Sequence, residues 1–337
     1  MIISDLHILD ALLRPPEAHA VLIVHANAVL AFLGKTGGSR DRAPPFKKEL
    51  GDTGAMRSRL SILFIIFGAV LFGSYTANWN QPVAPYRVAS NLYYVGTNYL
   101  ASFLITTPQG SILINPDYQE SVPLIRASVE KLGFRFSDIK IILISHAHDD
   151  HAAGCALAQK MSGAKIMVMD ADVPEMEHGG AGDFQYSDMR WPAVHVDRVL
   201  HDGDRVTLGG AVLTAYLTPG HTKGCTTWTT DVQEGGRLQH VVIVGSPNVN
   251  SGYKLVGNKL YPQIAADYEK TFRVLKSLPC DIFLGAHGSY YDMDDKLKRL
   301  RAGDSHAFVD PAGYGAYVDE REQAFRAELA KQRRQNP

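Results

Sequence analysis

An α/β fold of layered sheets with helices outside is what this sequence predicts, on three observations. Short β-branched runs bounded by turn residues recur from Val88 onward, segments of helical periodicity lie between them, and no repeat or low-complexity linker divides that stretch. A chain of 337 residues can bury one large core, and 45% hydrophobic with 9% aromatic content excludes wholesale disorder.

The elements follow in order. Leu92 to Val95 and Ser102 to Thr107 read as strands, Pro108-Gln109-Gly110 as a turn and Ser111 to Ile114 as the next strand, so the body opens as an antiparallel meander. Val122, Ile125, Val129 and Leu132 recur at helical spacing, and Gly133 stands where a left-handed cap is expected. Ile141 to Ile144 is a continuous apolar run of the kind buried on both faces of a sheet, and it stops at Ser145-His146. Further strands are Lys165 to Met169, Arg205 to Leu208, Val212 to Thr218, Thr226 to Thr229 and His240 to Val244, with Gly235-Gly236 as a hairpin turn. Tyr268 to Leu278 reads as a helix, Ile282 to Leu284 as a buried strand and Glu320 to Gln332 as an amphipathic helix.

Residues 1–55 do not read like the start of a domain: the apolar run Ala20 to Leu33 is broken by His25 and Asn27 and is too short to span a bilayer. At Met56 the pattern changes. Arg57 and Arg59, the apolar segment Leu60 to Phe72 and the small-residue tail Gly73 to Ala77 have the layout of a secretory signal peptide. The expected organisation is an upstream extension over 1–55, a signal peptide over 56–77 with an N-terminal anchor as the alternative, and an exported, periplasmic domain over 78–337. Lys plus Arg at 34 against Asp plus Glu at 35 leaves no field to attract nucleic acid or an anionic membrane. Cys155, Cys225 and Cys280 have no CxxC spacing and are too few for a disulfide framework.

The chemistry follows the strand Ile141 to Ile144. His146-Ala147-His148-Asp149-Asp150-His151 packs five potential ligands into six residues at a strand end. In extended backbone His146 and His148 point the same way, so both reach one ion, and the turn that follows redirects Asp150 and His151 toward a second. His221, in Thr218-Pro219-Gly220-His221-Thr222, and His287, in Gly285-Ala286-His287-Gly288, each follow a strand among glycines. His146, His148 and His221 would complete a neutral site with one tetrahedral position left open, as catalytic zinc requires; Asp150, His151 and His287 would make a second. Imidazole and carboxylate without thiolate favour zinc, with iron or manganese also compatible. Asp149 reads as a solvated or outer acid, and His178, His195, His201, His240 and His306 as surface or core residues.

With His146, His148, Asp150 and His151 matching HxHxDH, the chain from about Val88 resembles the metallo-β-lactamase superfamily. The resemblance implies an αββα four-layer sandwich with a binuclear site at the sheet edge, and a hydrolase among β-lactamases, glyoxalase II thioesterases, lactonases, sulfatases and nucleases. Where thioesterase, lactonase and nuclease relatives carry a Gly-Asp that bridges the metals, this chain has Gly245-Ser246, similar to subclass B3 of the metallo-β-lactamases. The stretches Asn91 to Thr97, Asn250 to Val256 and Asp310 to Tyr314 resemble that subclass too. The resemblance implies two zinc ions, β-lactam antibiotics as substrates and a monomer with no stable membrane association after signal cleavage. Asp150 would orient the attacking water and bind the second zinc, Ser246 would hold a water near that ion, and Asn248 and Tyr253 are candidate substrate contacts. A thioester or lactone hydrolase using the same metals is the alternative; a non-catalytic zinc scaffold is disfavoured by the filled ligand positions.

Overall fold

The computed structural model describes residues 79–335. The proposed upstream extension and signal peptide therefore lie outside the described residues. Among those described, no helix is long and apolar enough to cross a membrane.

The first sheet runs in spatial order through β1 (Tyr86–Ala89), β2 (Leu92–Tyr94), β3 (Phe103–Thr107), β4 (Gly110–Ile114), β5 (Ile139–Leu143), β6 (Lys165–Met169) and β7 (Arg198–Leu200). The meander β1 to β4 is antiparallel, whereas β4 to β7 pair in parallel. The second sheet has the order β12 (Ile282–Gly285), β11 (Arg237–Val244), β10 (Thr226–Glu234), β9 (Ala211–Leu217), β8 (Arg205–Leu208), with only β11 and β12 parallel.

Strand alternation builds the layers, because neighbouring side chains leave a strand on opposite faces. In β3 to β6, Phe103, Ile105, Ile112, Ile114, Ile141, Leu143, Met167 and Met169 join one core with Leu213, Ala215, Trp228 and Val241 of the second sheet. The intervening Leu104, Leu113, Ile142, Ile166 and Val168 enter another core with Val122, Ile125 and Val129 of α1 (Ser121–Lys131) and Ala158 of α3 (Cys155–Ser162). On the far side of the second sheet, α5 (Ile264–Ser277) presents Ile264, Tyr268, Phe272 and Leu275, and α7 (Pro311–Gln335) packs Phe325 against Tyr268 and Phe272. The result is the expected helix, sheet, sheet, helix sandwich.

Several elements extend beyond their sequence-based bounds. The β10–β11 hairpin runs to Glu234 and back from Arg237, around Gly235 and Gly236 at φ 58° and 76°. Its outer half is mostly polar, with Val232 the one buried apolar side chain, so the apolar signal there is weak. The last helix starts at Pro311 rather than Glu320, because the Asp310 carboxylate accepts the Gly313 amide at 2.8 Å and caps a glycine-containing first turn. All three cysteines are free thiols.

Candidate metal centre

The ligand-bearing loops converge at the C-terminal ends of β5, β9 and β12, joined at α2 (Asp149–Ala152). Here the sheets are tied: the Thr226 amide donates to the Ser145 carbonyl at 2.7 Å and Trp228 Nε1 to the Ile144 carbonyl at 3.0 Å. Asn115 fixes the strand exit, accepting the Ser145 amide at 2.7 Å and donating to its hydroxyl at 3.0 Å. His146 and His148 thus leave β5 together. Gly220, at φ +129°, sets the turn before His221; a Cβ there would lie 2.7 Å from the Tyr268 ring.

Two groups of donor atoms result. The ring nitrogens of His146, His148 and His221 lie within 4.8 Å of one another. In the second group, His151 Nε2 is 3.1 Å from His287 Nε2, and Asp150 Oδ2 is 3.4 Å and 3.5 Å from those two nitrogens. His146 lies between the groups, within 4.8 Å of Asp150 and His151 as well. All five histidines are buried. Burial and neighbouring imidazoles hold His146 and His221 well below the ordinary histidine range and push His151 and His287 down to about 3. His148 goes the other way: burial opposes its charge, but Asp183, aided by Asp150 and Asp172, raises it.

The remaining nitrogens show how the rings are aimed. His221 Nδ1 donates to the Asn248 carbonyl at 2.9 Å, which leaves Nε2 as the ligand atom. His148 Nε2 faces Asp183 Oδ2 at 3.6 Å, beyond hydrogen-bond reach but close enough for the carboxylate to favour its protonated form. Asp172, 1% exposed, accepts from the Ala147 amide at 2.9 Å, the Thr222 hydroxyl at 2.8 Å and the Gly224 amide at 2.6 Å, so one carboxylate clamps both loops of the three-histidine group. Behind the second group, Asp117 Oδ2 accepts the Ser102 hydroxyl at 2.6 Å while Oδ1 stands 3.9 Å from His151 Nδ1. Asp117, Asp172 and Asp183 escaped the sequence reading.

Neither ring nitrogen of the buried His146 has a hydrogen-bond partner, nor do His148 Nε2, His151 Nδ1 and His287 Nδ1. Uncharged imidazoles converging without partners, beside a carboxylate, fit borderline cations of the zinc type, which need deprotonated nitrogen donors.

The other expected residues are placed as follows. Ser246, 1% exposed, shares a hydrogen bond with the Tyr290 hydroxyl at 3.1 Å. Asn248 donates its side-chain amide to that same hydroxyl at 3.0 Å, leaving its Oδ1 without a partner. Tyr253, the other candidate substrate contact, is 2% exposed, and its hydroxyl donates to the His221 carbonyl at 2.9 Å. It acts on a ligand's backbone. Asp149 accepts the Asp150 amide at 2.9 Å, and burial with the adjacent Asp150 pushes its carboxyl to about 6.

Comparison with known proteins agrees with this geometry. The FEZ-1 metallo-beta-lactamase from Legionella gormanii superposes with a TM-score of 0.75 at 53% identity, over 75% of this chain and 98% of that one. BJP-1, a subclass B3 metallo-beta-lactamase of Bradyrhizobium japonicum, gives a TM-score of 0.72 at 38% identity, over 77% and 98% of the respective chains. Among curated sequences, a hydroxyacylglutathione hydrolase of Fuscovulum blasticum is 32% identical over 108 residues, 32% of this chain; the match spans only 34% of that protein's length. A second, from Rhodopseudomonas palustris, is 29% identical over 120 residues, 36% of this chain and 39% of that protein. The family model of the metallo-beta-lactamase superfamily matches residues 96–287, from the meander through the last histidine of the second group. With that match, the sandwich and the paired donor groups, the chain belongs to the metallo-beta-lactamase superfamily.

Proposed function

We propose that this protein is an exported, periplasmic β-lactamase of subclass B3 that opens the amide of penicillins, cephalosporins and carbapenems with two zinc ions per chain. The observation that carries the reading is the pair of donor groups, three imidazoles beside Asp150, His151 and His287, in a chain that aligns with solved β-lactamases over nearly their whole length. Bound zinc would polarise the lactam carbonyl and lower the pKa of water from about 15.7 toward roughly 7. Asp150 contributes a carboxylate that orients the attacking water by accepting its hydrogen bond. His146 and His221 stay neutral through burial and so keep their lone pairs for the metal, while His148, raised by Asp183, must give up its proton to bind it. Ser246, Tyr290 and Asn248 form a hydrogen-bonded rim that fixes the loop after β11 beside His287.

A thioesterase reading is favoured by the hydroxyacylglutathione hydrolases, but those matches span about a third of the relatives' length. Ser246 also replaces the carboxylate expected of thioesterases. The test is zinc-replete exported protein assayed with a penicillin, a cephalosporin, a carbapenem and a glutathione thioester, with and without chelator. Chelator-sensitive lactam opening is expected. Thioester cleavage without lactam turnover would replace the substrate class. In Asp150→Ala, turnover should fall by more than the roughly 10–100-fold typical of outer-partner losses. The N-terminus of the exported protein should read Asn78, and a start at Met1 would overturn the processing scheme.

A further inference from the structure

Between Val244 and Ile264 the chain forms neither helix nor strand, a connection long enough to suggest a functional loop. This loop touches the three-histidine group repeatedly. The Asn248 carbonyl accepts His221 Nδ1 at 2.9 Å, the Tyr253 hydroxyl donates to the His221 carbonyl at 2.9 Å, and Asn250 donates at 3.0 Å to the Tyr186 hydroxyl, whose ring stands edge-on to His148 at 5.2 Å. What holds the loop itself comes from the far end of the chain. In the last turns of α7, the Gln332 side chain donates Nε2 to the Tyr253 carbonyl at 2.7 Å, while its Oε1 accepts the Leu255 amide at 2.7 Å and the Val256 amide at 3.3 Å. Glu328, one turn earlier, accepts from Gln332 Nε2 at 2.9 Å and fixes the amide's orientation. A carboxamide that donates and accepts on one backbone segment holds it in both senses, as a neighbouring strand would.

We propose that Gln332 is a positioning residue for the three-histidine site, acting through Tyr253. By clamping Tyr253 to Val256 it holds the Tyr253 hydroxyl on the His221 backbone, and so sets how well the His221 ring is preorganised for metal. No other element supplies this loop segment with such a two-way clasp among the described hydrogen bonds. The inference concerns metal binding by the site whose substrate was proposed above, and its test needs no substrate.

The test uses the full exported protein as Gln332→Ala, Gln332→Glu, Tyr253→Phe and the double variant Gln332→Ala with Tyr253→Phe. In metal-free protein, Gln332→Ala should speed hydrogen exchange at the Leu255 and Val256 amides by about tenfold or more, since their acceptor is removed. Zinc competition against a chromogenic chelator should show affinity about tenfold weaker, at the low end of the range for outer partners. Gln332→Glu keeps the acceptor for both amides but sets a carboxylate oxygen against both the Tyr253 carbonyl and the Glu328 carboxylate, so it should protect the two amides better than Gln332→Ala yet bind zinc more weakly than the parent. If Gln332 works through Tyr253, the double variant binds zinc no more weakly than Tyr253→Phe alone. Unchanged exchange at the two amides would overturn the clasp. A lowered melting temperature with unchanged zinc affinity would reduce Gln332 to a structural contact, and a double variant weakened by the product of both single effects would break the route through Tyr253. Failure of lactam turnover would bear on the substrate and leave these measurements standing.

Discussion

The two donor groups share His146 at their boundary, yet they are braced in different ways. Behind the three-histidine group, His221 is hydrogen-bonded to a carbonyl and Asp172 accepts three hydrogen bonds that lock both ligand loops, while Asp183 stands 3.6 Å from His148 Nε2, close but without a hydrogen bond. Behind the second group, Asp117 stands 3.9 Å from His151, beyond hydrogen-bond reach, and His287 Nδ1 has no partner. The surroundings of His287 are instead aromatic, with the Tyr99 and Tyr290 rings both 5.1 Å away. Directional partners fix a ring's rotation, whereas aromatic packing fixes mainly its position. The three-histidine group is therefore the preorganised one, and the second relies on the metal to complete its geometry.

One substitution made at both sites tests that contrast most severely. Asp172→Asn places an amide donor where only donors arrive, from Ala147, Thr222 and Gly224. Such a buried clash should cost about 2–3 kcal/mol, and zinc affinity at the three-histidine site should fall by roughly 10–100-fold. Asp117→Asn keeps an acceptor for Ser102 and tolerates the left-handed backbone at φ 58°. It should cost under about 1 kcal/mol. Urea unfolding of metal-free protein and chelator competition measure both quantities; equal losses at the two positions would erase the distinction.

A smaller effect is expected in stepwise metal removal. The second equivalent of zinc should be withdrawn first, at chelator strengths about tenfold milder than those that empty the three-histidine site, since one well-oriented outer partner accounts for about that factor. Cobalt substitution followed by visible absorption distinguishes the order, because the two donor sets differ in nitrogen and oxygen content. Simultaneous loss would show that the sites bind as one unit.

This contrast also explains what the sequence made legible. His146, His148, Asp150 and His151 declare themselves through local spacing, and most strands of both sheets, though not β1 (Tyr86–Ala89), through short apolar runs. Their braces do not: Asp172 meets Ala147 and Thr222 from 25 and 50 residues away, so no short-range pattern links them. Asp183 likewise sits in a stretch without helix or strand. Among the elements, α3 and the highly charged helix Met293–Arg301 lack a long apolar stripe, and β7 has only three residues. The Asp310 cap that starts α7 before its glycines depends on a side-chain contact rather than on composition.

The smallest effect concerns a carboxyl near the well-braced site that has no bracing task of its own. Glu175, in the short helix Val173–Glu177, is 8% exposed, and its Oε2 has no hydrogen-bond partner. Burial, reinforced by Asp172 and partly offset by Lys223, pushes its carboxyl up to about 7. An acid raised on folding binds its proton more tightly in the native state, so it does not weaken the fold below its unfolded pKa. It weakens the fold increasingly as pH rises from about 4.5 toward 7. With partial solvent screening the full effect should be about 1 kcal/mol. Glu175→Gln removes the titration and keeps the shape. In metal-free protein the variant and parent should unfold at the same urea concentration near pH 4.5, with the variant the more stable by pH 8. Comparing the two at each pH cancels the titration of the ligand histidines, which both share. A difference independent of pH would mean that Glu175 titrates alike in the folded protein and the unfolded chain, and that Asp172 and Asp183 alone set the electrostatics behind the three-histidine site.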